Sequence, residues 1–163
     1  MIIRVSTEFT RPANATAYSI GDAIGPASGQ GLFTLTSIPS RPVAIVGAML
    51  ETNGTSPAAA NVIVCTSAGY APGIDNATLS VPGYNDGEVG TVSVVSGTTN
   101  ALIGGAIFSV DGTNYYPLSY PVTLSGSSVY AAIQTMDVFT PSSGQAFRLS
   151  LFVDVQDEAG GRF

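Results

Sequence analysis

The sequence contains no histidine and no lysine, and that gap excludes most catalytic chemistry. Without histidine there is no proton shuttle near neutral pH and no imidazole metal ligand. Without lysine there is no Schiff base and no ammonium nucleophile. A serine, threonine or cysteine nucleophile would lack its customary base. The one cysteine, Cys65, cannot form an internal disulfide and supplies at most one of the four ligands of a zinc site. Charge is scarce as well, at 10% of residues against about 25% in ordinary soluble domains. The five arginines (Arg4, Arg11, Arg41, Arg148 and Arg162) are scattered and the net charge is −6. Phosphate-driven nucleic-acid binding needs a concentrated cationic patch, so no nucleic-acid partner is expected. No run approaches the eighteen apolar residues of a membrane span, and Met1–Arg4 does not open a secretory signal.

What remains is a chain of 163 residues, 45% hydrophobic and punctuated by 19 glycines and 10 prolines. This length fits one domain able to bury roughly 70% of its unfolded surface without disulfides or metals. So little charge suits a protein that hides part of itself against neighbours. A domain kept soluble by hydroxyls and amides is the plainer alternative. Asn14, Asn53 and Asn76 head Asn-x-Ser/Thr triplets, which chance explains in a chain so rich in Asn and Thr.

Alternation of period two dominates, and the helical period is almost absent. Phe147, Leu149, Leu151, Val153 and Val155 share one face of a closing strand. Arg148, Ser150, Asp154 and Gln156 share the other, with Phe152 the exception. In the first segment Ile3, Val5, Thr7 and Phe9 alternate with Arg4, Ser6 and Glu8. Val43–Leu50, Val62–Thr66, Thr91–Val95, Ala101–Val110 and Val129–Met136 read as strands buried on both faces. Leu32–Thr36, Thr78–Val81 and Pro121–Leu124 are shorter candidates. Asn53-Gly54, Asp86-Gly87, Asp111-Gly112 and Ser143-Gly144 supply the turns between them. The fold class expected is all-β: a single antiparallel β-sandwich, jelly-roll-like, with a closed barrel as the alternative. Residues 1–30 are expected to form a first strand and an extended N-terminal arm, 31–156 the sandwich, and 157–163 a C-terminal tail.

Few constellations could carry chemistry. Cys65, in Val62-Ile63-Val64-Cys65, reads as a small buried apolar residue. Asp75, Asp86 and Glu88 could in principle converge as the two acids of a glycosidase. They sit among turn signals, where Asp more often caps or forms Asx-turns. No spacing matches a calcium loop or a phosphate cradle, so no cofactor, metal or catalytic residue is assigned. Tyr115, Tyr116 and Tyr120 could form a contact or sugar-stacking surface, or simply edge the core.

Several fragments together resemble a known family. Arg11–Gly25 (RPANATAYSIGDAIG), Ile45–Leu50 (IVGAML), Asp75-Asn76-Ala77 with Asp86, Val129–Ile133, Phe139-Thr140-Pro141 and the closing Gln145–Val155 are similar, in the same order, to small structural proteins of tailed bacteriophages encoded beside the major capsid protein. The likeness spans residues 11 to 155 and loosens at Pro26–Gly31. It implies a capsid decoration, or cement, protein of β-sandwich fold. Such a protein is a homotrimer on the capsid exterior, made in the host cytoplasm, with the major capsid protein and itself as partners. Arg4, Arg11, Tyr18, Tyr115, Tyr116 and Tyr120 are the candidate capsid or inter-subunit contacts, and the arm Met1–Gln30 is expected to reach across a neighbour, leaving a folded domain if deleted. Without lysine the chain cannot donate the amine of a Lys–Asn isopeptide crosslink, so its hold would be noncovalent or use a partner's lysine. The alternatives are another virion component (head fibre, tail or minor capsid protein) and a carbohydrate-binding sandwich on the virion that uses the tyrosines.

Overall fold

The computed structural model describes residues 1–83, 86, 88–96, 101–110, 113–115, 121–123 and 127–155. These residues form eleven strands: β1 (Ile2–Thr10), β2 (Ala23–Ile24), β3 (Phe33–Leu35), β4 (Pro42–Thr52), β5 (Ala59–Cys65), β6 (Glu88–Ser96), β7 (Ala101–Val110), β8 (Thr113–Tyr115), β9 (Pro121–Thr123), β10 (Val129–Thr135) and β11 (Ala146–Val155). No helix occurs among them, and every strand pairing is antiparallel. The all-β antiparallel expectation therefore holds. The strands run in the order β1-β11-β4-β7-β6-β5-β10-β2, with β3 also on β10, β8 on β7 and β9 on β4. Opposite ends of this path meet where Phe9 of β1 stacks on Phe33 of β3, ring centroids 4.2 Å apart. One ribbon of strands is thus folded over a central core.

The closing strand obeys its alternation throughout. Phe147, Leu149, Leu151, Val153 and Val155 are all buried in the central core. Its neighbour β4 cannot keep a single phase, because a bulge interrupts the pairing. Phe152 is opposite Gly47 while Val153 is opposite Ile45, so Val46 is the extra residue. Core-facing residues of β4 accordingly switch from Val43 and Ile45 to Ala48 and Leu50. On the outer face the bulge brings the Phe152 ring over Gly47, where a Cβ would lie 3.5 Å from it.

Strands β5 and β10 are buried on both faces, as their unbroken apolar runs predict. Val62, Val64, Ala131 and Ile133 enter the central core. Ile63, Cys65 and Ala132 face a second cluster with Ala23, Tyr70 and Leu79. The segment that supplies Tyr70 and Leu79 lies over the sheet as a cover. Its Leu79 N–H donates to the Gly21 carbonyl (2.9 Å) and its Ser80 N–H to the Pro72 carbonyl (2.8 Å). Thr78–Val81 is therefore no strand, and only Thr78 forms an isolated bridge, to Asp22. Ser143-Gly144 makes its turn with Gly144 at φ 62°. Asp111-Gly112 lies outside the described residues, and β7 and β8 on either side pair antiparallel.

The expected extended arm is overturned. Residues 2–10 pair with β11 along the whole of β1. Beyond them Tyr18 bridges to Phe139, Ala23 and Ile24 pair with β10, and Gln30 bridges to Ile74. Tyr18, Ala23 and Ile24 are each at most 1% exposed. The segment lacks periodicity because it pairs in short pieces with separate parts of the chain. Deleting residues 1–30 would strip one edge of the sheet and several core side chains, so the remainder is not expected to fold alone.

Leu149 is completely buried at the centre of β11. Leu149→Ala is expected to cost about 2–5 kcal/mol, from lost transfer energy and the cavity left behind, read as a lowered urea midpoint.

Candidate functional site

Two polar assemblies stand out from the apolar body. The first is buried. Arg11, just past the end of β1, is 1% exposed, yet all its donors are used. Its Nε donates to the Tyr18 hydroxyl at 2.9 Å. One terminal nitrogen donates to the carbonyls of Asn14, Pro12 and Ser142. The other donates to Asn14 Oδ1 (3.3 Å) and Asp75 Oδ2 (3.1 Å). The Tyr18 hydroxyl in turn donates to Asp75 Oδ1, which also accepts the Gly25 N–H at 2.9 Å. The Tyr18 ring stacks on Phe139 with centroids 4.8 Å apart, and the Arg11 guanidinium carbon lies 5.2 Å from the Tyr18 ring centre.

Gly25 is closely packed in this arrangement. A Cβ there would come within 3.1 Å of the Asp75 backbone nitrogen and 3.4 Å of Gly31. Burial is the largest influence on Tyr18 and pushes its pKa well above the usual phenol value. The hydrogen bond to Asp75 reinforces that shift, and Arg11 opposes it.

The second assembly lies in the open on the outer face of β1, β11 and β4. Arg4 reaches Glu51 at 2.7 Å and Ser150 Oγ at 3.0 Å, and Ser6 and Ser150 share a hydrogen bond of 2.8 Å. Arg148 grips Glu8 at 2.5 Å and approaches Glu51 at 3.8 Å. The hydrogen bond from Arg148 to Glu8, with the negative charge of that carboxylate, raises the Arg148 pKa further. A shallow cleft of about 380 Å³ opens beside this group, between Glu8, Glu51, Arg148, Thr10 and Asn53.

The structure divides the candidate contact residues. Arg4 is on the exposed outer face, its side chain 42% exposed. Arg11 and Tyr18 turn inwards, so as contact residues they are corrected: a capsid or a neighbouring subunit cannot reach them. Tyr115 ends β8. Tyr116 and Tyr120 lie outside the described residues. Asp75 is committed to three donors in the buried cluster. Asp86 serves a turn, its Oδ2 accepting the Gly83 N–H at 2.6 Å, and Glu88 begins β6. Cys65 is fully buried.

Two residues carry roles that their local sequence does not signal. Gln145, 2% exposed, ties the turn before β11 to the end of β4: its Nε2 donates to Thr52 Oγ1 (2.5 Å) and the Thr55 carbonyl (2.6 Å). Ser150 is buried on the outer face by Arg4 and Ser6. Only the alternation of β11 hinted at its side of the sheet.

No protein-family model and no curated protein matches this chain.

Removing one partner of the buried ion pair leaves an uncompensated charge. Asp75→Ala is expected to cost about 3–5 kcal/mol in chemical unfolding, whereas Glu51→Ala on the exposed face leaves the midpoint close to that of the parent. The raised Tyr18 value has a definite sign. The unfolded phenol ionises near pH 10 while the folded one stays neutral. Stability is therefore intact below about pH 10 and falls as pH rises beyond it. In a melting-temperature series above about pH 9, Tyr18→Phe is expected to flatten that decline.

Proposed function

We propose that the chain is a virion structural protein: a capsid decoration protein that binds the outside of a tailed-phage head and holds capsomers together noncovalently. One observation carries this reading. Three of the fragments that resemble the phage family are far apart in sequence, yet Asp75 joins Arg11, Tyr18 and Gly25 of the first in a buried hydrogen-bonded cluster, and Phe139 of the third stacks on Tyr18. A motif shared because it fixes a fold should behave in this way, and chance similarity has no reason to converge.

The surface supports an adhesive role in other respects. Ile20, Met136 and Val138 are 62%, 42% and 62% exposed. Backbone bonds from Tyr18 N–H to the Phe139 carbonyl and from Gly21 N–H to the Thr135 carbonyl bring their segments side by side. Exposed apolar side chains on adjoining segments of a charge-poor domain suit burial against a partner. This surface, rather than an arm, is the one for the major capsid protein. Attachment at three equivalent points of a homotrimer would multiply a modest contact through effective concentration. With no lysine of its own, the chain holds the shell without donating an isopeptide amine.

Purified protein mixed with expanded and with unexpanded heads is expected to co-sediment with the expanded ones. Val138→Ser together with Ile20→Ser is expected to weaken that binding without changing the melting temperature. Equal recovery with both kinds of head, or with neither, overturns the reading.

A further inference from the structure

Strand β1 stands at one end of the strand order, with no described strand beyond it. Sheet edges of this kind are normally blunted by lysine, proline, a bulge or short length. Lysine, proline, a bulge and short length are all absent, and the charges Arg4 and Glu8 alone mark this edge: β1 is nine residues long, contains no proline, and pairs with β11 without a register shift.

The hydrogen-bonding phase of the edge can be read off. The Val155 N–H donates to the Met1 carbonyl and the Arg11 N–H to the Gln145 carbonyl, so odd-numbered residues of β1 direct their backbone groups at β11. Even-numbered residues direct theirs the other way. Thr10 agrees, since its carbonyl accepts from Ala27 on that side at 2.9 Å. The outward row is therefore Ile2, Arg4, Ser6 and Glu8, whose side chains are also exposed.

That row is self-complementary. Laid antiparallel against a second copy with Ser6 opposite Ser6, it puts Arg4 opposite Glu8 and Glu8 opposite Arg4. Toward the core, Val5 meets Thr7 and Ile3 meets Phe9. Shifting the two-fold to Val5 puts Glu8 against Ile2, and shifting it to Thr7 puts Arg4 against Thr10. Of these registers, only the one centred on Ser6 pairs the charges.

The chain's own cross-strand rows agree. Glu51, Arg148 and Glu8 lie opposite one another on β4, β11 and β1, alternating in sign. In the Ser6 register the next residue in that row is Arg4 of the second copy, and the alternation continues. We propose that β1 is a self-association edge, at which two copies of this chain pair antiparallel about a two-fold axis through Ser6 and continue one sheet into the other. Such an interface is isologous, so it is separate from any three-fold contact and does not depend on the role proposed above.

The full-length protein tests this by analytical ultracentrifugation and disulfide trapping. Hydrogen-bonded antiparallel partners have Cα atoms about 5.5 Å apart, within disulfide range. Ser6→Cys is thus expected to crosslink to itself under mild oxidation, while Cys65 stays buried and the exposed control Ser80→Cys remains uncrosslinked. Glu8→Arg opposes Arg4 with arginine at both symmetric positions and is expected to weaken the dimer about tenfold or more. The quadruple variant Arg4→Glu, Glu8→Arg, Glu51→Arg and Arg148→Glu inverts the whole row, keeps opposite charges facing one another both within each copy and across the two-fold, and is expected to recover it, with far-UV circular dichroism checking the fold of each variant. A wild-type chain that stays monomeric, an assembly in which the Ser6→Cys variant forms no crosslink, or a folded quadruple variant no better than Glu8→Arg overturns the proposal.

Discussion

A guanidinium taken out of water must recover every hydrogen bond it gives up, and Arg11 recovers them from four stretches of chain. Its own turn supplies the Asn14 side chain and two carbonyls, and the approach to β11 supplies the Ser142 carbonyl. Tyr18 and Asp75 complete the set. Desolvating such an ion pair gains little net stability over an apolar substitute, but losing either half is expensive. The cluster therefore acts mainly as a selector. Satisfying all its donors at once brings Asn14, Tyr18, Asp75 and the Ser142 carbonyl together, and that placement of residues 11–31 seats Tyr18, Ala23 and Ile24 in the apolar interior. The segment most loosely patterned in sequence is thereby among the most tightly determined in structure.

The same contrast explains what could and could not be read beforehand. Strand β11 is legible because one face is core and the other is not, so burial imprints a period of two on its residues. Strands β5 and β10 are legible as doubly buried because Val62–Cys65 and Val129–Ile133 contain almost nothing polar. The phase change in β4 is not legible. Ile45-Val46-Gly47-Ala48 is apolar throughout, and the bulge appears only against the partner strand, where Phe152 stands opposite Gly47 and Val153 opposite Ile45. Asp75 resembles a turn residue because its partners are remote: Arg11 is 64 positions away and Tyr18 is 57. The expectation of an arm fails for the same reason, since long-range pairing leaves no local period to detect.

Charge is distributed in two ways that do different work. Inside, one arginine and one aspartate are paired completely and fix how the chain is routed. Outside, two of the chain's five arginines, Arg4 and Arg148, lie on one face with Glu8 and Glu51, where solvent weakens each pair. Pairs so weak contribute little to folding. Their arrangement in sign-alternating rows still determines which neighbour such a face accepts, since like charges placed opposite one another repel and unlike ones align.

The two assemblies meet at Thr10 and Arg11. Arg11 gives its backbone N–H to the Gln145 carbonyl and so ends the β1–β11 ladder, while its side chain anchors the following turn. At Thr10 the outward carbonyl is already occupied by Ala27. The buried cluster therefore limits the open edge at its Thr10 end and holds the strand next to it in a fixed position. An edge of fixed length and fixed phase presents one register to a partner, whereas a slippery edge presents several and invites open-ended stacking. The interior ion pair thus does more than route the chain. It converts the exposed strand from an aggregation liability into a surface whose partner is defined by the order Arg4, Ser6, Glu8.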